Sequence, residues 1–337
     1  MELKSDYSLK TLNTFQVEAA AADYVRFDAE REIVDFLRRT SLDGRRRLIL
    51  GGGSNLLFVD DFDGIVMHPL LKGIHVVQAD RRHLWIRAMA GETWDDLVAF
   101  AVANGWGGLE NLSLIPGSVG ASAVQNIGAY GVEVKAVIDR VEALSIDDRR
   151  KIFFVTNDCG FGYRSSNFKS LWAGQFIITA VVFKLSRQPV FVLDYPGVKA
   201  AVEALGPINL QAIRQAIITI RQGKLPDPAE VGNAGSFFKN PVIDARTLND
   251  LLNRFCDLPH YPQGEDQFKL SAGWMIERCG WKGRRAGQAA VHDRQALVLV
   301  NRGGATGREI LALAGQIKES VRDRFGITLE PEVLILP

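Results

Sequence analysis

Ser236 stands in the stretch GNAGSFFKNP, behind a run of small residues and ahead of Phe237, Phe238 and Lys239. A lone hydroxyl between a flexible turn and two aromatics can act as a nucleophile, a proton donor or a phosphate ligand. It can equally be a turn serine that only caps backbone. The nucleophile reading is the poorest, because the chain has no GxSxG elbow and no histidine in a local motif that would activate the hydroxyl.

Two other segments are built to let a ligand touch backbone. GGGSN, comprising Gly51, Gly52, Gly53, Ser54 and Asn55, follows the strand-like RRRLIL and offers consecutive N–H groups to phosphate oxygens. It is neither a GxGxxG fingerprint nor a GxxxxGK[ST] phosphate loop, and such a turn between strands is as often bland as functional. The second segment, ENLSLIPGSVGASAVQNIGAYG, is richer: it holds Pro116, Gly117, Gly120, Ala121, Gln125, Asn126, Gly128, Ala129, Tyr130 and Gly131. Small residues permit close approach, and Gln and Asn supply directed hydrogen bonds. An extended polar and aromatic cofactor such as a flavin dinucleotide requires that combination. The pattern from Gly107 to Gly131 reads as a long loop with little periodicity. Loops beyond about 15 residues are usually functional or disordered, and the Leu, Ile, Val and Tyr here argue against disorder.

The frame that must position these segments is readable from periodicity. RRRLILGGGSNLLFV gives strand, turn, strand, and GIVMHPL continues in that style. GETWDDLVAFAVANG gives a helix with Thr93 at its N-cap and Trp94, Leu97, Val98 and Ala101 on one face. Strands return in VIDRVEALSI, KIFFV and FIITAVVFKLS. NLQAIRQAIITIRQGKLPDP gives an amphipathic helix with Leu210, Ile213, Ile217 and Ile220 on one side, after a boundary expected near Pro207. Helices follow near Asp244–Phe255 and Ser271–Cys279, then a strand QALVLVN. A last helix opens on a Thr306/Glu309 capping box and runs to Phe325 and Gly326. The closing ITLEPEVLILP has no adjacent partner and is expected to return to another sheet. The class is α+β with several sheets.

Composition excludes some functions. Lys and Arg number 40 against 39 Asp and Glu, so no bulk field recruits nucleic acid or an acidic membrane. No apolar run approaches the roughly 18 residues of a membrane-spanning helix, and MELKSDYSLKTLNTF has no secretory character. Cys159, Cys256 and Cys279 are odd in number with no CxxC pair, which suits reduced thiols in a cytoplasm. The five histidines show no HExxH spacing, so no metal site is expected.

The motifs GGGSNLL, ENLSLIPGSVGASAVQNIGAYG, FGYRSSNFK, KLPDP, GNAGSFFKNP, KLSAGWMIE, AAVHDRQALVLVN and LEPEV occur in one order over nearly the whole chain. In that order they resemble the UDP-N-acetylenolpyruvoylglucosamine reductase family, in its type I form. The resemblance implies a FAD-binding fold of the vanillyl-alcohol-oxidase (PCMH) type made of two α+β subdomains, plus a third α+β substrate-binding domain. The implied ranges are 1–72 and 73–206 for the FAD-binding subdomains and 207–326 for the substrate domain, with a C-terminal strand at 327–337 completing the first. FVLDYPGVKAA (191–201) resembles the family's tyrosine-bearing loop. The implied reaction is NADPH-dependent, FAD-mediated reduction of UDP-N-acetylglucosamine enolpyruvate to UDP-N-acetylmuramate, in peptidoglycan precursor synthesis; a monomer in the cytoplasm is expected.

The resemblance also implies roles. Ser236 protonates the carbon beside the carboxylate, a step general acids speed by about 10²–10⁴-fold, with Lys239 or an ordered water easing the transient alkoxide. Arg164 of FGYR holds the substrate carboxylate through paired hydrogen bonds, and Glu332 of LEPEV, protonated or sharing a proton, assists it. Glu330 is expected to be solvated or structural. Tyr195 and Lys224 match positions that contact the UDP diphosphate, and Asn240 and Gln295 match polar substrate-site positions. Gly51–Asn55 and Pro116–Gly131 carry over as the FAD-binding elements, with FAD non-covalent because no histidine stands in GGGSN. Ala123, Gln288 and Leu334 depart from the family pattern, Ala123 by replacing a common proline, which is expected to loosen a flavin-contacting loop. Two other readings compete. One is a related flavoenzyme acting on small alcohols, which would lack the Ser236, Arg164 and Glu332 set. The other is a nucleotide-binding regulator that lost its chemistry. No Rossmann acidic residue is present, so the pattern itself does not separate NADPH from NADH.

Overall fold

The computed structural model describes every residue from Met1 to Pro337. Contacts divide the chain into two compact units. The first comprises Met1–Tyr7, Ala21–Gly53 and Asp63–Gly223, and the second Ser8–Ala20, Ser54–Phe62 and Lys224–Pro337. Strands and helices mix in both, as the α+β reading expects.

In the first unit a four-stranded sheet runs in the order Leu3–Ser8, Ala20–Phe27, Phe62–Pro69, Arg47–Ile49. Helix α1 (Glu30–Arg39) buries Ile33, Phe36 and Leu37, a three-and-four spacing that gives one apolar stripe. That stripe packs with Val25, Phe27, Ile65 and Met67 of the strands. A second, five-stranded antiparallel sheet runs Lys151–Val155, Ile138–Ser145, Phe176–Ser186, His83–Met89, Ile74–Ala79. His83–Met89 alternates buried Leu84, Ile86 and Ala88 with half-buried neighbours, the period of a strand with one covered face. Helix α2 (Trp94–Ala103) and helix α3 (Val119–Gln125) contribute Trp94, Leu97, Val98, Val119 and Ala123 to the same core.

Helix α3 corrects the reading of 107–131 as an irregular loop. A short 3-10 turn (Glu110–Leu112), α3 and a two-residue hairpin (Gly128–Ala129 with Val132–Glu133) break it into ordered pieces. It shows no polar stripe because the face opposite buried Val119, Gly120, Ser122 and Ala123 is Ala121, Val124 and Gln125, only one of them polar. Gly120 is required: a Cβ there would lie 2.8 Å from the Ala90 Cβ. Ala123 sits fully buried inside α3, part of the apolar core.

Helix α4 (Val198–Glu203) and helix α5 (Leu210–Lys224) form a small core of Val198, Val202, Ile213, Ala216 and Ile217. The contact boundary therefore falls between Gly223 and Lys224, not near Pro207. The helix that sequence reading gave to the substrate domain is fastened to the first unit by this core. A two-pronged pair reinforces it, with Arg214 Nη1 and Nη2 at 2.7 and 2.8 Å from the two carboxylate oxygens of Asp95.

The second unit has a four-stranded sheet in the order Gly232–Ser236, Val298–Asn301, Ala289–Val291, Arg285–Ala286, and a three-stranded one in the order Val242–Asp244, Gln267–Leu270, His260–Pro262. Helix α6 (Ala245–Arg254) starts at Asp244, whose side chain accepts from the Thr247 N–H at 2.7 Å. Helix α7 (Ala272–Arg278) starts at Ser271 in the same way. Helix α8 (Gly307–Phe325) opens on the expected Thr306/Glu309 capping box and closes on Gly326 at φ 72°. The closing strand Leu334–Leu336 pairs in parallel with Leu56–Phe58. No helix is long and apolar enough to cross a membrane.

Candidate active site

The two glycine-rich segments of the first unit meet backbone to backbone. A Cβ on Gly51 would lie 2.9 Å from both the Ala121 Cβ and the Ser118 Oγ, and one on Gly52 would lie 2.7 Å from the Gly117 Cα. Gly117 itself is at φ 125°. Its carbonyl accepts from the Trp94 N–H at 3.0 Å, and Val119 and Gly120 donate to the carbonyls of Glu92 and Ala90, both at 2.9 Å. Thr93 is the N-cap of α2, as expected, but its hydroxyl makes no cap bond; the neighbouring loop closes that helix end instead. Gly51 and Gly52 therefore let the two segments pack directly on each other, against Ser118, Ala121 and the Gly117 backbone.

Behind Gly51 lies a buried support absent from the sequence reading. Tyr7 stacks on Tyr24 at 4.2 Å, Tyr24 Oη is 2.9 Å from His68 Nδ1, and His68 hydrogen-bonds the Gly51 backbone. Burial pushes the His68 imidazole down to about 4, so it is neutral at ordinary pH.

The polar side chains of 116–131 are largely committed to the chain. Asn126, fully buried at φ 43°, donates to Glu133 Oε2 at 3.2 Å and to the Gly162 carbonyl at 2.8 Å, and accepts from the Lys135 N–H at 3.1 Å. Gln125 Oε1 accepts from Lys169 Nζ at 2.5 Å. Asn126 thus shapes the loop from inside. Arg164 lies along this loop: its Nη2 donates to the Gly128 carbonyl at 2.5 Å, and a Cβ on Gly128 would be 2.8 Å from Nη1. Leu114, Asn126, Tyr130 and Arg164 all take left-handed φ, between 43° and 57°. For non-glycine residues that conformation is uncommon and costly, and it clusters at functional sites.

Arg221 of α5 joins this cluster unannounced by any motif. Its Nε donates to the Leu114 carbonyl at 3.2 Å, and its guanidinium hydrogen-bonds the Tyr130 side chain with the Arg164 charge nearby. Burial lowers its pKa, while Tyr130 and Asp95 oppose that shift. Burial raises the Tyr130 phenol, and the Tyr195 ring stands edge-on to it with centroids 5.2 Å apart.

In the second unit Ser236 ends the strand Gly232–Ser236 opposite Val298. Asn233, buried, accepts from the Gly235 N–H at 2.9 Å and donates to the Val231 carbonyl at 2.8 Å, which fixes the turn with Gly235 at φ 67°. Phe237 and Phe238 are both buried, so the aromatics act as anchors on the side of Ser236 toward the chain terminus. The Glu332 N–H donates to the Phe237 carbonyl at 2.8 Å, which brings Glu332 beside the serine strand. Asn55 Nδ2 donates to the Glu332 carbonyl at 3.2 Å, and Asn55 accepts from the Leu334 N–H at 3.0 Å. Lys239 is paired with Glu330, Nζ to Oε2 at 3.3 Å. Asn240 Oδ1 accepts from the Ala272 N–H at 3.0 Å, and Gln295 Oε1 lies against Gly273, so both reach the first turn of α7. Lys224 is exposed at the end of α5, and Gln288 is exposed with its carbonyl bonded to the Arg302 N–H.

Residues 21–149 match the FAD binding domain family, and residues 227–336 match the family described as the C-terminal domain of UDP-N-acetylenolpyruvoylglucosamine reductase. The UDP-N-acetylenolpyruvoylglucosamine reductase of Bacteroides fragilis is 46% identical over 98% of this chain and 99% of its own length. That of Burkholderia ambifaria is 47% identical over 98% and 96%. Among solved structures, the UDP-N-acetylenolpyruvylglucosamine reductase (MurB) of Thermus caldophilus superposes with a TM-score of 0.68 at 24% identity, covering 100% of this chain and 98% of its own, a likeness of fold. Near-half identity over the full chain, with family matches over both 21–149 and 227–336, means that this chain belongs to the UDP-N-acetylenolpyruvoylglucosamine reductase family.

Proposed function

We propose that this chain reduces UDP-N-acetylglucosamine enolpyruvate to UDP-N-acetylmuramate, with FAD held non-covalently and NADPH as reductant. Gly51–Asn55 and Pro116–Gly131 would hold FAD, whose chemistry when bound would be to pass a hydride from NADPH to the terminal alkene carbon. Hydride arrival leaves carbanion character on the carbon beside the carboxylate, and the chain's own groups must manage that charge. Arg164 holds the carboxylate by a charge-assisted pair. Glu332 assists as a hydrogen-bonding acid on the same delocalised charge. Ser236 gives its hydroxyl proton to the carbanionic carbon and regains one from water. Tyr195, Lys224, Asn240 and Gln295 bind the sugar nucleotide. The first two match diphosphate contacts, and Lys224 brings a point charge suited to it.

The observation that carries the reading is the Glu332 N–H bond to the Phe237 carbonyl, which sets an acid and a hydroxyl donor on neighbouring backbone. FAD binding is assigned to 1–72, completed by 327–337, and to 73–206, and substrate binding to 207–326. The reaction needs no residue from a second copy, so a monomer suffices. The cytoplasm suits NADPH and the three unpaired thiols. An anaerobic absorbance experiment tests the whole. One equivalent of NADPH should bleach the flavin band, and the enolpyruvyl sugar nucleotide should restore it. A band that bleaches and never recovers on that substrate would refute the acceptor, and a folded protein that takes up no FAD would refute the cofactor.

A further inference from the structure

We propose that Asn111 is a positioning residue that couples the segment carrying Tyr195 to Tyr130, and so governs binding of the sugar nucleotide. This rests on the role given above to Tyr195. Asn111 sits in the turn Glu110–Leu112 and is 2% exposed, so it cannot meet substrate itself. Its Nδ2 donates to the Tyr130 carbonyl and to the Val192 carbonyl, each at 2.9 Å. A primary amide has two N–H donors, and both acceptors are carbonyls, so the orientation is fixed and both hydrogens are committed.

One acceptor belongs to the FAD-binding loop and the other to the tyrosine segment. Around Val192 the segment is held by packing: Phe191 and Leu193 lie against the core of α4 and α5, and a Cβ on Gly131 would be 3.3 Å from Val192 Cγ1. Three residues further on, Tyr195 is 44% exposed, with its ring edge-on to Tyr130. Tyr130 holds a left-handed φ of 48°, a conformation that outside bonding must maintain. The buried amide therefore fixes the start of the tyrosine segment and the backbone under its stacking partner in one contact. No other side chain of that size offers two N–H donors here without adding charge.

The test uses the full-length FAD-loaded enzyme with Asn111→Asp, Tyr195→Phe and the double variant. Asn111→Asp keeps the shape but turns an acceptor toward two carbonyls. It should raise KM for the enolpyruvyl sugar nucleotide about tenfold, the scale expected when a binding group is misplaced. Flavin reduction by NADPH should stay within about twofold, and the double variant should be no worse than the more severe single one. Should Asn111→Asp fold poorly, Asn111→Ser, which keeps one donor, should give an intermediate KM. An unchanged KM, losses that multiply in the double variant, or equal loss of both half-reactions with release of FAD would overturn the coupling. Wild-type enzyme run alongside separates the two failures. If it reoxidises on the substrate while KM of the variants is unchanged, only the coupling falls; if it does not reoxidise, the function and the coupling fall together.

Discussion

The glycine-rich loops of the first unit and the serine strand of the second use small residues for different ends. At Gly51, Gly52 and Gly120 a Cβ would strike neighbouring chain at 2.7–2.9 Å, so glycine is needed for loops to touch each other. At Gly235 nothing lies within 4 Å, and glycine serves φ 67° alone, a turn that aims the next residue. The polar side chains differ too. Asn126 turns its amide inward to Glu133, Gly162 and Lys135, whereas Ser236 and Glu332 are placed by the backbone that carries them. Damage in the first region should therefore remove the cofactor and stability together. Damage in the second should remove one chemical step.

Ser236→Ala gives the largest expected effect. Reoxidation of reduced enzyme by substrate should slow by about 10²–10⁴-fold while reduction by NADPH stays within about twofold. Stopped-flow absorbance of each half-reaction checks this, and equal loss in both would make Ser236 a structural residue like Asn126. His68 comes next, through pH. In the unfolded chain an imidazole takes its proton as pH falls through 6.5, while the folded one resists until about 4. Between those values the unfolded state binds more protons, so stability falls as pH drops, by at most about 3 kcal/mol, and levels off below 4. Urea titrations should show wild type losing about that much more stability than His68→Gln across this window; parallel curves would mean His68 is not the titrating group. Gly52→Ala follows, since its Cβ must push the Gly117 backbone aside. Overpacking of this kind costs about 1–3 kcal/mol, and FAD affinity should fall with the melting temperature. Weakened FAD binding at an unchanged melting temperature would show that Gly52 serves the ligand and not the loop contact.

What could be read beforehand follows from where each signal resides. The helices α2, α5 and α8 announced themselves because one face is apolar and their ends carry caps or glycines, and the strands of the five-stranded sheet by β-branched runs. Helix α3 did not, because it is only seven residues long and its half-buried face of Ala121, Val124 and Gln125 is too small and apolar to contrast with its buried one. The catalytic candidates were legible only as motifs in series, since a serine after glycines has no chemistry of its own. Asn111, Arg221 and His68 gave no local sign. Their partners lie far along the chain, 81 residues from Asn111 to Val192 and 107 from Arg221 to Leu114. A polar residue among apolar ones reveals its task only when the fold brings the carbonyl it must satisfy.

Lys239 gives the smallest expected effect and the finest division between the two regions. The sequence offered it as a cation to ease the Ser236 alkoxide, but its ammonium faces Glu330 at 3.3 Å and its N–H binds the Glu330 carbonyl at 2.9 Å. Glu330 is 73% exposed on its side chain, so the pair is screened and contributes only about 0.5 kcal/mol. Lys239 also lies three residues past Ser236, beyond the end of its strand and across two buried aromatics, so its ammonium has little field to lend the serine. Lys239→Met should then leave reoxidation within about threefold and lower stability by no more than the pair is worth. A loss above about thirtyfold, confined to reoxidation and absent in Glu330→Gln, would instead place the lysine on the proton-transfer step. In that case the serine strand would be using side chains to tune its acid, and its contrast with the glycine loops would be sharper than backbone placement alone makes it.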